Sequence, residues 1–583
     1  MKELRFLNQF FIKYKWRLLF GLIITAIATI FRIVVPAKIG DSVDAVKQNF
    51  AGEITREALQ AELLKNILLI LGAALLSAFF TFLMRQTIIV VSRYIEFDLK
   101  NVVFQQYERL SLSFYKKNRT GDLMNRISED VGKVRMYVGP ALMYSTTTVT
   151  LFVVAISYMV YTAPLLTLYA VAPLPILSVC IYKLSIAIHK KSTIVQQYLS
   201  KLTTFTQESF SGISVIKAYG IEGRTNVDFE ELANASKEKN IDLTKVQALF
   251  FPLMVLLIGI SNLLVVYVGG NQYIEGVIEF GTIVEFLIYV NMLTWPVAIV
   301  GWVSSMVQQA EASQKRINEF LKETPEIINT ATTRTPIEGR IAFQNVTFTY
   351  PDTGITALNK VSFTVKPGET IAIIGNTGSG KSTILELITR LYDVEQGAFT
   401  VDDTPAKELH LEDLRQSIGY VPQDAFLFSD TIRNNIKFGK KDATDEAVMN
   451  AAKNAAVHAN IVGFTKDYDT VLGERGITLS GGQKQRVSIA RALIKDPQIL
   501  LLDDCLSAVD TETEEEILQN LAKVSQNKTT FIVSHRVSSA KNADKIIVLE
   551  AGKIIQQGTH NELINSDGYY KELYNKQLLE KEM

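Results

Sequence analysis

Residues 136–182 read MYVGPALMYSTTTVTLFVVAISYMVYTAPLLTLYAVAPLPILSVCIY and contain no Asp, Glu, Lys, Arg or His. A transmembrane helix needs about 20 apolar residues to cross about 30 Å of hydrocarbon, so this stretch is long enough for two passes. Pro164 disfavours a helical conformation in the residue before it, which predicts a turn at residues 161–164. Four further uncharged stretches occur at residues 18–31, 66–84, 246–274 and 286–310. The sequence therefore predicts six transmembrane spans.

Two other interpretations of these stretches are disfavoured. Buried core helices of a soluble protein seldom reach this length without charge. A cleaved signal peptide would have a shorter apolar core than the first span, and no convincing small-residue cleavage site follows that span. Arg32 lies inside the first span or at its outer edge. Such an arginine either faces a cavity or extends to the lipid headgroups, and the sequence leaves both open.

The overall composition excludes several classes of protein. The chain has 60 Lys and Arg against 60 Asp and Glu in 583 residues, so its net charge is zero. This excludes a nucleic-acid binder that works by bulk basicity and an acidic disordered chain. Two cysteines exclude a disulfide-rich scaffold and a cysteine-rich zinc protein. No nucleic acid is expected among the partners.

The distribution of Lys and Arg predicts the orientation of the spans. Residues 85–135 contain ten Lys or Arg and residues 183–245 contain nine, whereas residues 275–285 contain none. Because Lys and Arg accumulate in cytoplasmic segments, both long segments and the basic N-terminus are expected in the cytoplasm. Six spans then place both termini there, and the chain is predicted to be a multi-pass protein of the cytoplasmic (inner) membrane.

The two long basic segments have apolar residues at helical spacing and few glycines or prolines, apart from breaks at residues 118–121 and 211–212. The pattern predicts membrane helices that continue into the cytoplasm and are joined in pairs by short turns, near residues 114–123 and 211–223. Solvated cytoplasmic loops are the alternative interpretation.

The composition changes after residue 310. A charged helical stretch ends near residue 322, and a polar, threonine-rich linker follows it. Beyond the linker, β-branched runs such as TIAIIG at residues 370–375 alternate with helical patterns, which is typical of an α/β domain with a largely parallel sheet. We therefore predict an α-helical membrane domain at residues 1–322, a linker at 323–340 and an α/β domain at 341–583.

The run TIAIIG leads into a glycine-rich motif of the form G-x-x-x-x-G-K-[ST] between a strand and a helix. Its glycines let backbone N–H groups turn towards phosphates, Lys381 supplies a charge to the β- and γ-phosphates, and the Ser382 hydroxyl ligates Mg²⁺. The motif predicts a P-loop nucleotide site. The residues expected to bind nucleotide here are Gly375, Asn376, Thr377, Gly378, Ser379, Gly380, Lys381, Ser382 and Thr383.

Two further elements follow in order. Residues 499–503, ILLLD, have the pattern of a buried strand that ends in a carboxylate, and Asp503 is expected to hold Mg²⁺ beside the phosphate loop. The sequence LSGGQ at residues 479–483 precedes a helical stretch, and a helix N-terminus with small residues is an anion site. One chain cannot easily aim both phosphate-facing surfaces at one phosphate, whereas two chains placed head to tail can. The residues assigned to this second surface are Ser480, Gly481, Gly482 and Gln483.

With these motifs the chain resembles the ATP-binding cassette (ABC) transporters, specifically the exporter-type half-transporters that fuse one six-helix membrane domain to one nucleotide-binding domain. The resemblance covers essentially the whole chain, and LSGGQ downstream of a P-loop is highly specific. It implies ATP and Mg²⁺ as cofactors. It also implies a second half-transporter chain, the lipid bilayer and a small hydrophobic substrate as partners.

The resemblance also implies roles for single residues. Tyr350 would stack on adenine, Gln423 would contact Mg²⁺ or the attacking water, and His535 would lie near the γ-phosphate. Residues 507–510 match the loop that crosses to the partner chain, and residues 473–476 resemble an exporter-type coupling loop. The two cytoplasmic turns would be the coupling helices. The predicted catalytic residues are Lys381, Gln423, Asp504 and His535, and the predicted Mg²⁺ ligands are Ser382, Gln423 and Asp503.

The chain departs from the family pattern at Asp504, where the family has a glutamate that polarises the attacking water. The aspartate carboxylate is one methylene shorter, and a misplacement of about 1 Å can cost on the order of 10²-fold in rate. In the family this substitution often marks the weak site of a heterodimer whose second chain brings the glutamate. A homodimer that hydrolyses ATP through Asp504 remains open, although the heterodimer is favoured.

The function implied by the resemblance is ATP-driven export of a lipid, drug or other hydrophobic molecule across the cytoplasmic membrane, by alternating access of a dimer. One alternative keeps the fold and imports metal-chelate complexes, and nothing in the sequence separates the two directions. Another is an ATP-gated channel or regulator that does not pump. A regulatory insertion or an extra domain would favour it, and neither is visible.

Overall fold

The computed structural model describes residues 2–329, 331–473, 476, 478–507 and 509–582. The chain divides into two compact units. One consists of Met1–Glu108 and Gly121–Glu323, and the other of Arg109–Thr120 and Thr324–Met583. The domain boundaries predicted from the sequence stay a prediction. The short segment Arg109–Thr120, however, packs with the C-terminal unit although the sequence analysis placed it in the membrane domain.

Six helices among the described residues are long and apolar enough to cross a membrane, and this confirms the number of spans predicted from the sequence. The turn between the third and fourth spans also falls where proline predicts it, because one helix ends at Thr162 and the next begins at Pro164. The six helices are α1 (Lys15–Phe50), α2 (Arg56–Arg109), α3 (Thr120–Thr162), α4 (Pro164–Ser211), α5 (Glu222–Ile274) and α6 (Phe280–Leu321).

Short helical segments interrupt or precede the long helices. A 3-10 turn at Glu3–Leu7 and a short helix at Asn8–Lys13 lead into α1. The helices Leu112–Lys117 and Ile213–Tyr219 lie in the two predicted cytoplasmic turns. Three π-helical turns occur within α2 and α3, at Arg85–Ile89, Arg126–Asp130 and Tyr137–Ala141.

Helices α1 and α6 approach each other closely at two glycines. The backbone N–H of Gly281 donates a hydrogen bond to Oδ1 of Asp44 at 2.6 Å. A Cβ atom on Gly281 would overlap the carbonyl oxygen of Gly40 and the Asp44 carboxylate, and a Cβ on Gly40 would in turn meet the backbone of Gly281. Small residues allow such backbone contact between membrane helices, which are held together by close packing.

Near the other end of α6, a buried carboxylate ties this helix to α3. Asp130 is 3% exposed and accepts hydrogen bonds from Oγ of Ser313 at 2.8 Å and from Nε of Arg316 at 2.9 Å. The charge of Asp130 is therefore compensated inside the first unit.

The described residues of the C-terminal unit form two sheets. Strands β1 (Ile341–Thr349), β2 (Thr356–Val365), β4 (Gln396–Val401) and β5 (Thr404–Pro405) form an antiparallel sheet in the order β2-β1-β4-β5. The other sheet has the order β10-β9-β3-β8-β7-β6. Its strands are β3 (Thr370–Gly375), β6 (Ile418–Val421), β7 (Ile499–Asp503), β8 (Thr529–Val533), β9 (Lys545–Glu550) and β10 (Lys553–Gly558).

The expectation of an α/β fold is confirmed, but that of a largely parallel arrangement holds only for the second sheet. In that sheet β9, β3, β8, β7 and β6 are parallel, and only the edge strand β10 is antiparallel to its neighbour. β1 and β2 pair antiparallel because six residues join them, whereas a parallel pair needs a crossover of a dozen or more.

The described part of this unit also contains helices. They are α7 (Lys381–Ile388), α8 (Leu411–Gln416), α9 (Ile432–Lys437), α10 (Asp445–Asn454), α11 (His458–Val462), α12 (Gly481–Leu493), α13 (Thr511–Val524), α14 (Val537–Ala540), α15 (His560–Asn565) and α16 (Tyr569–Glu582). The main core lies between the two sheets and α7, and it includes Phe343, Leu358, Ile373, Leu385 and Phe531. A second core packs the helices of residues 432–494 against β7 and α13.

The close approach of α1 and α6 gives a first prediction. Gly281→Ala should lower the unfolding temperature of the detergent-solubilised protein, because the added methyl group overpacks the contact at a cost of about 1–3 kcal/mol. Gly301→Ala, in the same helix, is the control, since its Cβ would lie 3.9 Å from Oγ of Ser185. The control should unfold at the wild-type temperature or slightly above it, because alanine favours helix. Equal unfolding temperatures for the two variants would contradict the close approach.

Candidate nucleotide-binding site

The glycine-rich loop lies between β3 and α7, as the sequence predicts. Gly378 and Gly380 have φ values of 80° and 99°, which an L side chain rarely adopts. A Cβ on Gly380 would also overlap the carbonyl oxygen of Ala357 in β2. Glycine is therefore required at the last loop position before α7, where the first backbone N–H groups of the helix are free to bind an anion.

Lys381 is the first residue of α7 and is 6% exposed. Its Nζ donates hydrogen bonds to the carbonyl oxygens of Gly375 at 2.9 Å and Asn376 at 2.8 Å. Burial lowers the pKa of Lys381, and the charges of Asp504 and Asp503 oppose that shift. The lysine is thus a buried cation inside the phosphate loop, with two carboxylates near enough to act on it.

Ser382 and Asp503 meet at the end of the parallel sheet. Oγ of Ser382 donates to Oδ1 of Asp503 at 2.9 Å, although the two residues are 121 positions apart. Asp503 is 3% exposed, and burial raises its pKa to about 6, while the hydrogen bond from Ser382 and the charge of Lys381 oppose the shift. A bound cation stabilises the ionised form of a buried carboxylate, so a carboxylate with a raised pKa is a favourable ligand for a cation.

This donor set fits Mg²⁺, which prefers oxygen ligands. Among the described residues, no group of three or more His, Cys, Asp or Glu could form an all-protein metal cage. Mg²⁺ usually keeps water and phosphate oxygens and takes only one or two protein carboxylates, so Asp503 and Ser382 suffice.

Asp504 and His535 lie beside these groups. The backbone N–H of Asp504 donates to the carbonyl oxygen of Val533 at 3.0 Å, and Asp504 has a φ of 42°. A non-glycine residue in this left-handed conformation costs energy and is common at functional sites. Burial raises the pKa of Asp504, and the charge of His535 is the largest influence that opposes the shift. Burial lowers the pKa of His535, with a further contribution from Lys381.

Tyr350 stands on the other side of the loop. Its hydroxyl lies 2.8 Å from Oγ1 of Thr383 and donates to Oε2 of Glu386 at 2.8 Å. The ring packs edge-on against Phe348 and Tyr392, with centroids 5.0 and 5.5 Å away. These contacts fix the ring, and an aromatic ring held in this way can offer one face to a flat ligand.

A cavity of about 400 Å³ gathers most of the predicted residues. Those that line it are Tyr350, Thr377, Gly378, Gly380, Lys381, Ser382, Thr383, Gln423, Asp503, Asp504 and His535. Gly375, Asn376 and Ser379 belong to the same loop but do not line the cavity among the described residues. Within one chain, the structure therefore brings together the P-loop, the end of β7 and the loop after β8.

The LSGGQ residues do not join this cavity within one chain, as far as the described residues show. They open helix α12, where Ser480 caps the first turn. Oγ of Ser480 accepts from the N–H of Gln483 at 3.3 Å, and Oε1 of Gln483 accepts from the N–H of Ser480 at 3.0 Å. Neither bond of this capping box uses the N–H groups of Gly481 and Gly482, which open the helix and can bind an anion. The predicted coupling-loop residues Glu474 and Arg475, and Ala508 in the predicted crossing loop, lie outside the described residues.

Sequence reasoning missed Lys116, which also lines the cavity. Its Nζ lies 4.8 Å from the ring centroid of Tyr350, 5.1 Å from that of Tyr392 and 3.9 Å from Oε1 of Glu386. Lys116 is in the short helix Leu112–Lys117, so the turn between α2 and α3 contributes directly to the site. A lone lysine more than 200 residues before the P-loop gives no signal in the sequence.

Gln577, in the C-terminal helix α16, was also missed. Its Nε2 donates to the carbonyl oxygen of His535 at 2.9 Å, and its Oε1 accepts from the N–H of Val537 at 2.8 Å. Both ends of one amide therefore hold the backbone around His535, which positions the histidine at the cavity.

The raised pKa of Asp503 predicts a pH-dependent stability. Between about pH 4 and about pH 6 the folded state keeps a proton that the unfolded state has lost, so the free energy of unfolding falls as pH rises and stays lower above about pH 6. Asp503→Asn should therefore raise the unfolding temperature of the nucleotide-free protein at about pH 8, equivalent to about 1–3 kcal/mol, with a gain that shrinks towards about pH 4.

Asp403→Asn is the matched control, because the Asp403 side chain is 78% exposed. It should give no gain that grows with pH. A gain for Asp503→Asn that is the same at about pH 5 and about pH 8 would contradict the raised pKa of the buried carboxylate.

Comparisons with known proteins place the chain in a family. Residues 18–297 match the ABC transporter transmembrane region and residues 358–507 match the ABC transporter family. The chain is 35% identical over 577 residues to the multidrug resistance-like ATP-binding protein MdlA of Escherichia coli (strain K12), covering 98% of this chain and 96% of that protein. It is 35% identical over 488 residues to an ATP-dependent lipid A-core flippase of Syntrophus aciditrophicus (strain SB), covering 83% of this chain and 80% of that protein.

A solved structure is similar as well. The structure of a bacterial Atm1-family ABC exporter with ATP bound matches with a TM-score of 0.81 and 26% sequence identity, over 97% of this chain and 99% of that chain. The six apolar helices, the P-loop cavity and these matches cover both units of the protein. The chain therefore belongs to the ABC transporter family, as a multi-pass membrane half-transporter of the exporter type whose ATP-binding domain couples ATP hydrolysis to transport.

Proposed function

We propose that this half-transporter pairs with a second half-transporter chain and exports a small hydrophobic molecule, such as a lipid or drug, across the cytoplasmic membrane. The observation that carries the proposal is the convergence of Lys381, Ser382, Asp503, Asp504 and His535 on one cavity, in a chain that also has six apolar helices. In this proposal both termini lie in the cytoplasm, in keeping with the lysine and arginine distribution.

Each residue of the cavity would have its own role in binding or hydrolysing ATP. The Tyr350 ring would stack on adenine, and the loop N–H groups with Lys381 would bind the phosphates. Ser382, Asp503 and Gln423 would hold Mg²⁺, which neutralises phosphate charge when bound. Asp504 would orient and polarise the attacking water, and His535 would contact the γ-phosphate.

A dimer would complete the site. Within one chain the N-terminus of α12 does not reach the cavity that holds Lys381, as far as the described residues show. The first N–H groups of α12 can therefore bind a phosphate in the Lys381 cavity only if they come from a second chain. Nucleotide would then link the two ATP-binding domains, and hydrolysis would divide the phosphate charge and release them.

The segment Arg109–Thr120 is the best candidate for carrying this change to the membrane helices. It joins α2 to α3 and yet packs with the ATP-binding unit. Oγ of Ser111 accepts hydrogen bonds from the N–H groups of Glu326 and Ile327, and Lys116 reaches the rings of Tyr350 and Tyr392. A movement of the cavity wall would therefore pull directly on the ends of two membrane-spanning helices.

Transport should depend on Lys381. Inverted vesicles that contain the protein together with its partner half-transporter chain should accumulate a lipophilic dye when ATP is added, and right-side-out vesicles should not. Lys381→Ala should reduce the accumulation about 10²-fold, because a charge that binds the transferred phosphoryl group is lost. Lys366→Ala, an exposed lysine of the same domain, is the control and should retain wild-type transport. Solute movement that is unaffected by Lys381→Ala would refute the proposal.

The choice between a homodimer and a heterodimer depends on Asp504, and we propose the heterodimer. The purified single chain should then hydrolyse ATP slowly. Asp504→Glu should raise its rate on the order of 10–10²-fold by extending the carboxylate towards the water, and Asp504→Asn should reduce it to background. Brisk turnover of the wild-type chain that is lost in Asp504→Asn would instead show that Asp504 supports hydrolysis in a homodimer.

A further inference from the structure

The first unit contains a cavity of about 670 Å³ among helices α1, α2 and α6. One wall is a row of small side chains of α2 at helical spacing, Ala74, Ser77, Ala78 and Thr81. Such a row leaves room beside the helix that larger side chains would fill. The cavity lies wholly in the membrane domain and is separate from the nucleotide site.

Two arginines line this otherwise mostly apolar cavity, Arg32 of α1 and Arg85 of α2. No Asp or Glu lines it among the described residues, and neither guanidinium has an ion-pair partner in the part of the chain that the structure describes. Of the two possibilities that the sequence leaves for Arg32, the structure therefore favours the one in which it faces a cavity.

The contact between α1 and α2 gives the positions of the two arginines along the membrane-spanning helices. Oγ of Ser77 donates to the carbonyl oxygen of Ala28 at 3.1 Å, so these residues are at the same level. With a rise of about 1.5 Å per residue, Arg85 lies about 12 Å from this level in one direction and Arg32 about 6 Å in the other. Both are thus inside the apolar length of the helices, where an uncompensated charge is costly and is usually functional.

The backbone at Arg85 is unusual too. A π-helical turn begins at this residue, and π turns inside helices often mark functional sites. Arg85 also lines a second cavity of about 480 Å³, together with Gln86, Tyr144 and Trp302. The last two rings pack edge-on with centroids 5.4 Å apart. Arg85 therefore stands between a mostly apolar cavity and an aromatic one.

We propose that these cavities bind an anionic amphiphile, with its phosphate or carboxylate headgroup on Arg85 and its apolar chain against Phe82 and Met292, while Arg32 attracts the anion from the other end of the larger cavity. A guanidinium donates several hydrogen bonds in a fixed plane that matches both headgroups. The same two charges repel a cationic amphiphile. The proposal rests on the proposed function, because it names the chemical class of substrate that the exporter would carry.

The test is equilibrium binding without nucleotide, so that it does not depend on hydrolysis. The full chain is placed in phosphatidylcholine nanodiscs and titrated with dansyl-labelled dodecyl phosphate and with dansyl-labelled dodecyltrimethylammonium. The wild-type protein should bind the phosphate probe at least roughly tenfold more tightly, as expected for hydrogen bonds between charged groups. A dansyl-labelled fatty acid, as a third probe, shows whether a carboxylate binds as well as a phosphate.

The variants assign the preference to the two arginines. Arg85→Gln and Arg32→Gln should each reduce it several-fold, and the double variant should remove it. Arg85→Lys keeps the charge but loses the planar set of donors, so it should retain a reduced preference for the phosphate probe, above that of Arg85→Gln, which also controls for folding. Arg93→Gln is the matched control on the same helix, because Arg93 is already paired with Glu96 at 2.9 Å. Its preference should equal that of the wild type.

Equal affinity of the wild type for the phosphate and ammonium probes, or an unchanged preference in the double variant, would overturn the inference. The outcome is separable from the proposed function. A chain without charge preference whose transport still requires Lys381 would leave the proposed function standing. A chain with the preference whose transport ignores Lys381 would retain this binding site and lose the proposed function.

Discussion

The parallel pairing of β3, β8 and β7 is the constraint on which the nucleotide site depends. Ile373 pairs with Val533 and Asp503 also pairs with Val533, so the loops after the three strands leave the sheet at one edge. Every residue of β7 and β8 is buried, which means that core packing, rather than the loops themselves, sets these positions. Groups that are more than 150 residues apart in the chain, such as Lys381 and His535, therefore share one cavity.

The site concentrates buried charge that the protein alone compensates only in part. Burial raises the pKa values of Asp503 and Asp504 and lowers those of Lys381 and His535. All four shifts disfavour the ionised form, which is the expected effect of removing charged groups from water. A bound Mg-nucleotide would bring both signs of charge to the same place and so would stabilise the ionised forms that burial disfavours. Stability is given up at this cavity in favour of ligand binding, as is usual for active sites.

Both units contain charged side chains that are removed from water, by burial in the ATP-binding unit and by the membrane in the other unit. In the ATP-binding unit, the unbalanced groups surround a cavity that fits a nucleotide. In the membrane unit, Arg32 and Arg85 line a cavity without a carboxylate among the described residues, while Asp130 is fully compensated by Ser313 and Arg316. Asp130 therefore stabilises the fold through its protein partners, whereas Arg32 and Arg85 are available to bind a ligand.

The sequence by itself determined the elements whose signal is local. Uncharged runs fixed the number of spans, Pro164 fixed the turn between α3 and α4, and the spacing of Lys381 and Ser382 from the glycines fixed the P-loop. Only the tertiary structure decided which distant residues join them. The contributions of Lys116 and Gln577 to the nucleotide site, and the cavity that Arg32 and Arg85 both line, depend on side chains of different elements that reach a common space. The periodicity of apolar residues along the sequence does not predict such contacts, because the distance between two elements is set by packing and not by spacing along the chain.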